Sequence, residues 1–209
     1  MEEQILKQLA QPLLAWYDIH RRILPWREEV SPYRTWVSEI MLQQTRVAAV
    51  LPYFQRFMEA FPTVGTLAQA DTERLMKLWE GLGYYSRARN LQKAAQEITA
   101  LGGFPDTYDG LLALPGIGDY TASAIAAAAF GRREPAVDGN VLRVAARVMN
   151  HFCEIDRPEQ KAAVTALLRQ VYLDNPEHCG TLTQAFMEIG ATVCVPNGQP
   201  HCETCPLSE

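Results

Sequence analysis

An all-α fold is predicted by two features of this 209-residue sequence. Apolar residues recur at the three-to-four spacing of a helix face through most of the chain, while the alternation of a half-buried strand is nearly absent. The segments so defined also carry helix signals, with capping side chains before them and glycine or proline after them. Composition is that of an ordinary globular chain, 48% hydrophobic and 21% charged, enough for one large or two small domains.

The first helix is read in ILKQLAQPLLAWYDIH, with an interruption at Pro12. TWVSEIMLQQTRV follows as a buried helix through Trp36, Val37, Ile40, Met41 and Leu42, with Glu39 among them. A carboxylate in such surroundings is costly unless it is paired or its pKa rises and it takes a proton. A salt bridge or an outward-facing position answers the same pattern. VAAVLPYFQRFMEAF stops before Pro62, and TVGTLAQAD and DTERLMKLWEGLG follow, the latter capped by Asp71 and closed by glycines. YSRARNLQKAAQEITALGG, TYDGLLALPG, DYTASAIAAAAFG, VLRVAARVMNHF, PEQKAAVTALLRQVYL and GTLTQAFMEIGATVC complete the set. Turns between them are short, and no repeat at a solenoid period is present.

The net charge of −5 argues against gripping nucleic acid by bulk basicity, although local stripes remain. Arg87, Arg89 and Lys93 form one acid-free stretch and Arg143 with Arg147 another; both fit either a DNA-facing stripe or a solvated helix face. No apolar run reaches the roughly 18 residues of a membrane span, and the acidic N-terminus lacks the features of a signal peptide. A cytoplasmic, monomeric protein without membrane contact is therefore expected. In that compartment the five cysteines are thiols or metal ligands rather than disulfides, with Cys153 and Cys179 structural.

Three constellations carry chemistry. In LLALPGIGDYTASAIAAAAF a helix ends at Leu114, Pro115 to Gly118 form a tight turn, and Asp119 can cap a second helix. Gly116 and Gly118 let backbone N–H groups approach an anion at a helix start, which suits a DNA phosphate. The full LPGIG between helices resembles the helix-hairpin-helix DNA-binding element. In PAVDGNVLRVAARV, Asp138 stands at a helix start beside Gly139 and Asn140. It reads as an N-cap, or as a carboxylate that stabilises positive charge developing on a sugar. In CVPNGQPHCETC, Cys194, Cys202 and Cys205 form a terminal cysteine trio that fits iron–sulfur ligation, and fits zinc with His201 as a fourth donor.

LPWR, PYRTWVSEIMLQQTRV, YFQRFMEAFPT, LWEGLGYYSRARNL, LPGIGDYTA, VDGNVLRV and the terminal cysteines together resemble the catalytic domain of MutY-type adenine DNA glycosylases. That family belongs to the helix-hairpin-helix superfamily with endonuclease III. The resemblance runs in order over essentially the whole chain. It implies two helical lobes with the active site between them: a six-helix barrel lobe over 22–131, with the hairpin at about 108–130, and a second lobe of 1–21 plus 132–209. It implies excision of adenine flipped from duplex DNA opposite 8-oxoguanine or guanine. Glu39 matches the glutamate that protonates adenine N7, and Asp138 the carboxylate that stabilises the sugar cation. Tyr120 stands where bifunctional relatives hold a Schiff-base lysine, which implies a monofunctional enzyme; Tyr120 and Asn140 match positions near Asp138 and the sugar.

By the same resemblance, Arg22, Leu24, Trp26, Arg27 and Gln184 match residues around the adenine pocket. Gln44 and Tyr84 match residues that wedge into the base stack. Leu114, Ile117 and neighbouring carbonyls match a monovalent-cation site at the hairpin. The family loop Cys-x6-Cys-x2-Cys-x5-Cys implies a [4Fe–4S] cluster, but seven residues separate Cys194 from Cys202 here, and the fourth cysteine would fall two residues beyond Glu209. The family's C-terminal 8-oxoguanine recognition domain is absent from these residues. Competing readings are a mismatch-specific thymine glycosylase of the same superfamily, a non-catalytic binder of mispaired or abasic DNA, and an all-α scaffold holding zinc.

Overall fold

A computed structural model describes residues 2–150 and 157–208, with side chains from residue 8 onward. Cys153 lies outside the described residues. Among them the regular structure is helical, with no strand. In chain order the helices are α1 (Glu2–His20), α2 (Pro25–Glu28), α3 (Pro32–Leu42), α4 (Val47–Ala60), α5 (Val64–Ala68) and α6 (Thr72–Trp79). They continue as α7 (Tyr85–Ala100), α8 (Tyr108–Leu112), α9 (Asp119–Phe130), α10 (Gly139–Val148), α11 (Pro158–Asp174) and α12 (Cys179–Thr192). The chain forms two compact units, Ile23–Ala129 and the discontinuous pair Met1–Arg22 with Phe130–Glu209.

In the Ile23–Ala129 unit, α3 packs on α4 and α7, and α5 and α6 pack on α7. Trp36, Phe54, Phe57, Trp79 and Leu75 are essentially inaccessible and form its largely aromatic core. Phe57 meets both Phe61 and Trp79 edge-on, at centroid distances of 5.2 and 6.1 Å, the arrangement that ring quadrupoles favour. Helix α9 is buried on nearly every side, which its alanines permit because they let neighbouring backbones come close. Local signals set the helix starts. The Ser31 hydroxyl accepts from Arg34 N at 3.2 Å, Thr63 and Thr66 cap α5 reciprocally, and Asp71 accepts from Arg74 N at 3.0 Å.

In the other unit α1 packs on α11 and α12, and α10 packs on α12. Leu13, Val171, Leu182, Phe186 and Ile189 are fully buried between them. Tyr172 is buried as well, and its hydroxyl finds Thr183 Oγ1 at 2.9 Å.

Two local expectations are corrected. Helix α1 runs unbroken through Pro12, since a helix sheds one hydrogen bond there while its buried face, Leu9, Ala10, Leu13 and Leu14, holds it together. Asp119 is the first residue of α9 rather than the residue before it; its carboxylate accepts from the Tyr108 hydroxyl at 2.7 Å, tying the start of α8 to the start of α9. The single turn of α2 had no periodicity by which to be read, although its leading proline marks it.

Gly116 and Gly118, two residues apart, are not equivalent. Gly116 has φ +75°, and a Cβ there would lie 2.7 Å from Asn90 Cβ on α7, whereas a Cβ on Gly118 would meet nothing within 4 Å. Gly116→Ala is expected to cost about 1–2 kcal/mol from the left-handed backbone alone, a fall in melting temperature of about 2–8 °C. Gly118→Ala should melt close to the unsubstituted protein; equal melting of both variants in a thermal scan would contradict this packing.

Candidate active site

Glu39 stands in the most buried stretch of α3, where Tyr33 and every residue from Thr35 to Met41 are inaccessible or nearly so. The residue is 7% exposed. Nearby, Arg34 Nη2 donates to the Pro25 carbonyl at 3.1 Å and its guanidinium lies over Phe54, so α2 is held to α3. Trp26 is 5% exposed and meets Phe54 edge-on at 5.1 Å; Leu24 is 4% exposed, and Arg27 is half-buried. The short α2 therefore brings Leu24, Trp26 and Arg27 beside the helix of Glu39, with Leu24 and Trp26 serving the core as well.

Gln44 and Tyr84 both take left-handed backbone, with φ +58° and +45°, and both side chains are exposed. Non-glycine residues hold this conformation only where their surroundings enforce it. The hairpin lies between α8 and α9. Gly116 and Gly118 are exposed, Leu114 and Ile117 are buried beneath them, and Tyr120 in the first turn of α9 is half-buried. Ile117 N donates to the Leu114 carbonyl at 3.2 Å and closes the turn.

In the second unit Asp138 is the N-cap of α10. Its Oδ1 accepts from Val141 N at 2.8 Å and its Oδ2 from Asn140 Nδ2 at 2.8 Å, so both carboxylate oxygens are held in place. Asn140 Oδ1 in turn accepts from Arg143 Nη2 at 2.8 Å. Arg143 also donates to the Gly190 carbonyl at 2.8 Å and the Cys194 carbonyl at 2.9 Å. Burial lowers the Arg143 pKa, and the partial charges of these oxygens are what the guanidinium receives in place of water. A continuous chain of hydrogen bonds thus runs from the Asp138 carboxylate to the cysteine loop. Gly190 admits it, because a Cβ there would stand 2.7 Å from Asn140 Cβ.

Arg22 forms a two-pronged pair with Glu188 on α12: Nε to Oε1 at 2.7 Å and Nη2 to Oε2 at 2.9 Å, with Arg22 N adding a bond to Oε1 at 3.0 Å. Glu188 is wholly buried, and its hydrogen bond is the largest cause that raises the Arg22 pKa. Gln184, half-buried, lies one turn before Glu188 on the same helix face. Glu188 was absent from the sequence reading. Its signal was the one that marked Glu39, an acid inside an apolar helix.

Of the cysteines, Cys194 is buried, Cys202 exposed and Cys205 half-buried; all three, like the buried Cys179, are thiols. Arg147 Nη1 donates to Cys194 Sγ at 3.2 Å. Burial raises the Cys205 thiol pKa, and Cys194 and Cys202 are near enough to push it further the same way. The donor set therefore suits a thiolate-held metal group in kind. Among the described residues no three His, Cys, Asp or Glu side chains meet as a metal-holding group; Cys194 Sγ lies in the Arg147 contact and Cys202 faces solvent.

The two basic stretches divide: Arg89, Lys93 and Arg147 are exposed, whereas Arg87 and Arg143 are half-buried and donate to main-chain oxygens. A charge count along the chain cannot distinguish these orientations.

Residues 37–170 match the family model described as HhH-GPD superfamily base excision DNA repair protein. The chain is 45% identical over 206 residues to an adenine DNA glycosylase of Rattus norvegicus, covering 93% of this chain and 39% of the rat protein. It thus spans about two fifths of that relative's length. Among solved structures, it resembles that of a thermostable thymine-DNA glycosylase with a TM-score of 0.86 and 25% identity, over 98% of this chain and 94% of the other. It resembles endonuclease III in a non-covalent complex with DNA with a TM-score of 0.76 and 25% identity, over 97% and 92% of the two chains.

The Arg22–Glu188 pair generates an asymmetric prediction. Arg22→Met removes the guanidinium from a fully buried carboxylate and should cost about 3 kcal/mol in urea unfolding. Glu188→Gln leaves a guanidinium that can turn to water and should cost about half as much or less. Equal losses, or a larger one for Glu188→Gln, would contradict the burial assigned to Glu188.

Proposed function

The chain belongs to the HhH-GPD superfamily of base excision DNA repair proteins, and we propose that it is the adenine-excising part of an adenine DNA glycosylase. The observation that carries this reading is Glu39, a carboxyl 7% exposed within a helix of mostly apolar neighbours. Burial of this kind disfavours the charged form of a carboxyl, which suits Glu39 to the role of proton donor to the base. The 45% identity to the rat adenine DNA glycosylase supports the choice of base.

Adenine is flipped from the duplex, with Gln44 and Tyr84 entering the stack it leaves. Leu24, Trp26, Arg27, Arg22 and Gln184 surround the base. Glu39 gives its proton to N7, the bond between N9 and C1′ breaks with its electron pair going to the purine, and adenine departs neutral. Positive charge is left on the sugar, as in glycoside hydrolysis, and the Asp138 carboxylate stabilises it. Water adds its hydroxyl to C1′, and its proton restores Glu39. The two hydrogen bonds at Asp138 support this role, because a carboxylate already oriented need not reorganise as charge develops. Tyr120 cannot form a Schiff base, so the product is an abasic site with an intact strand.

DNA is held at the hairpin, where the Gly116 and Gly118 backbone meets a phosphate and carbonyls of Leu114 and Ile117 hold a monovalent cation. The partner is duplex DNA with adenine opposite 8-oxoguanine or guanine. Cys194, Cys202 and Cys205 are the residues that would hold a [4Fe–4S] cluster, which would staple the loop and take no part in excision. Thymine excision is the second reading, favoured by the likeness to the thymine-DNA glycosylase structure. Thymine has no N7, so a buried proton donor at Glu39 is without a purpose there, and the adenine reading is preferred.

Glu39→Gln is expected to bind adenine-mispaired DNA and to lose about a hundredfold or more in single-turnover excision, the usual weight of general acid catalysis. A near-unchanged rate would remove the proton-donor role. Tyr120→Lys should be trapped on such DNA by borohydride while the unsubstituted protein is not; trapping of the latter would overturn the monofunctional assignment.

A further inference from the structure

We infer that Arg87 is a positioning residue that presets Gln44 and Tyr84 for entry into the base stack, an inference that rests on the adenine-excision reading. The observation is where its guanidinium sends its N–H groups. Nη1 donates to the carbonyls of Ile40 at 2.8 Å and Gln43 at 2.6 Å, and Nη2 to those of Leu82 at 3.0 Å and Gly83 at 3.5 Å. One side chain therefore joins the end of α3 to the turn before α7, segments far apart in sequence.

The carbonyls it grips are significant in themselves. The Gln43 carbonyl belongs to the peptide plane that leads into Gln44, and the Gly83 carbonyl to the plane that leads into Tyr84. Gln44 and Tyr84 are two of the three non-glycine residues with positive φ among the described residues. Fixing the preceding plane restricts φ of each, which is the angle in its disfavoured range. The guanidinium further lies over the Tyr84 ring at 5.2 Å and the Trp79 ring at 5.7 Å. Trp79 is fully buried and itself donates to the Gly83 carbonyl at 3.1 Å, so the clamp stands on the core. Tyr84 nevertheless remains 63% exposed and Gln44 is exposed, so the clamp holds their backbone and leaves their side chains outward.

A phosphate-binding role for Arg87 does not fit these contacts. The side chain is half-buried, both terminal nitrogens are engaged by carbonyls, and Nε is buried without a hydrogen-bond partner. A planar fork is needed because two segments must be reached at fixed angles, which an ammonium on a flexible stem cannot do. One turn further along α7, Asn90 packs where Gly116 has no Cβ, so the helix that carries the clamp also abuts the hairpin.

The test is a mutant cycle on single-turnover excision of adenine opposite 8-oxoguanine, with enzyme in excess. Arg87→Lys is made in the unsubstituted protein and in the Gln44→Ala/Tyr84→Ala protein, with Arg87→Met as a second probe. In the unsubstituted protein either change should slow excision by about tenfold, a pre-organisation effect of ordinary size. In the Gln44→Ala/Tyr84→Ala protein the same change should slow it less than about twofold, because the groups being positioned are gone. A merely structural role predicts the same loss in both backgrounds, and that result overturns the proposal, as does no loss in either. Should Arg87→Met fail to fold, the Arg87→Lys pair alone decides. Absence of adenine excision by the unsubstituted protein would instead remove the adenine reading, and the proposal with it.

Discussion

Arg143 and Arg87 solve the same problem in the two units: main-chain carbonyls at helix ends and in turns have lost water and need donors. An arginine answers several at once, because its planar fork presents five N–H groups on one rigid frame. In the second unit the fork of Arg143 gathers Asn140 Oδ1 and the carbonyls of Gly190 and Cys194, and Asn140 passes the constraint to Asp138. In the first unit Arg87 gathers carbonyls from the end of α3 and from the turn before α7. The side chains proposed to meet DNA or sugar are held at one remove, by cations whose N–H groups go to protein oxygens. The net charge of −5 is consistent with that use of basic residues, since several are spent inward rather than on a DNA-facing surface.

What could be read in the sequence is what local rules determine. The N-caps Asp71 and Asp138 follow from a short acid placed before an apolar periodic run, and both cap as read. Glu39 drew notice among Trp36, Val37, Ile40, Met41 and Leu42, but that pattern also fitted a salt bridge or an outward-facing position, and its proposed role came from the resemblance to MutY-type glycosylases. The hairpin was legible from LPGIG, although the sequence could not say that Gly116 is required by Asn90 while Gly118 is not. Arg87, Arg143 and Glu188 escaped for one reason. Each depends on a partner forty or more positions away, and only folding discloses whether a charge faces water or a carbonyl.

The cysteine loop marks a different limit. Spacing names the donors, and their shared effect on Cys205 places them in one neighbourhood, yet they do not converge as ligands among the described residues. Arg147 donates to the Cys194 sulfur and Arg143 to the Cys194 carbonyl, so protein contacts tie this end of the loop to α10.

The most direct measurement is single-turnover processing by the unsubstituted protein of three duplexes, with adenine opposite 8-oxoguanine, adenine opposite guanine and thymine opposite guanine, each sample divided and half treated with hot alkali. The proposed proton donation by Glu39, with a tyrosine rather than a lysine at position 120, predicts strand breaks at adenine after alkali only, and none at thymine. Breaks at thymine, breaks without alkali, or tight binding with no breaks at all would each contradict it.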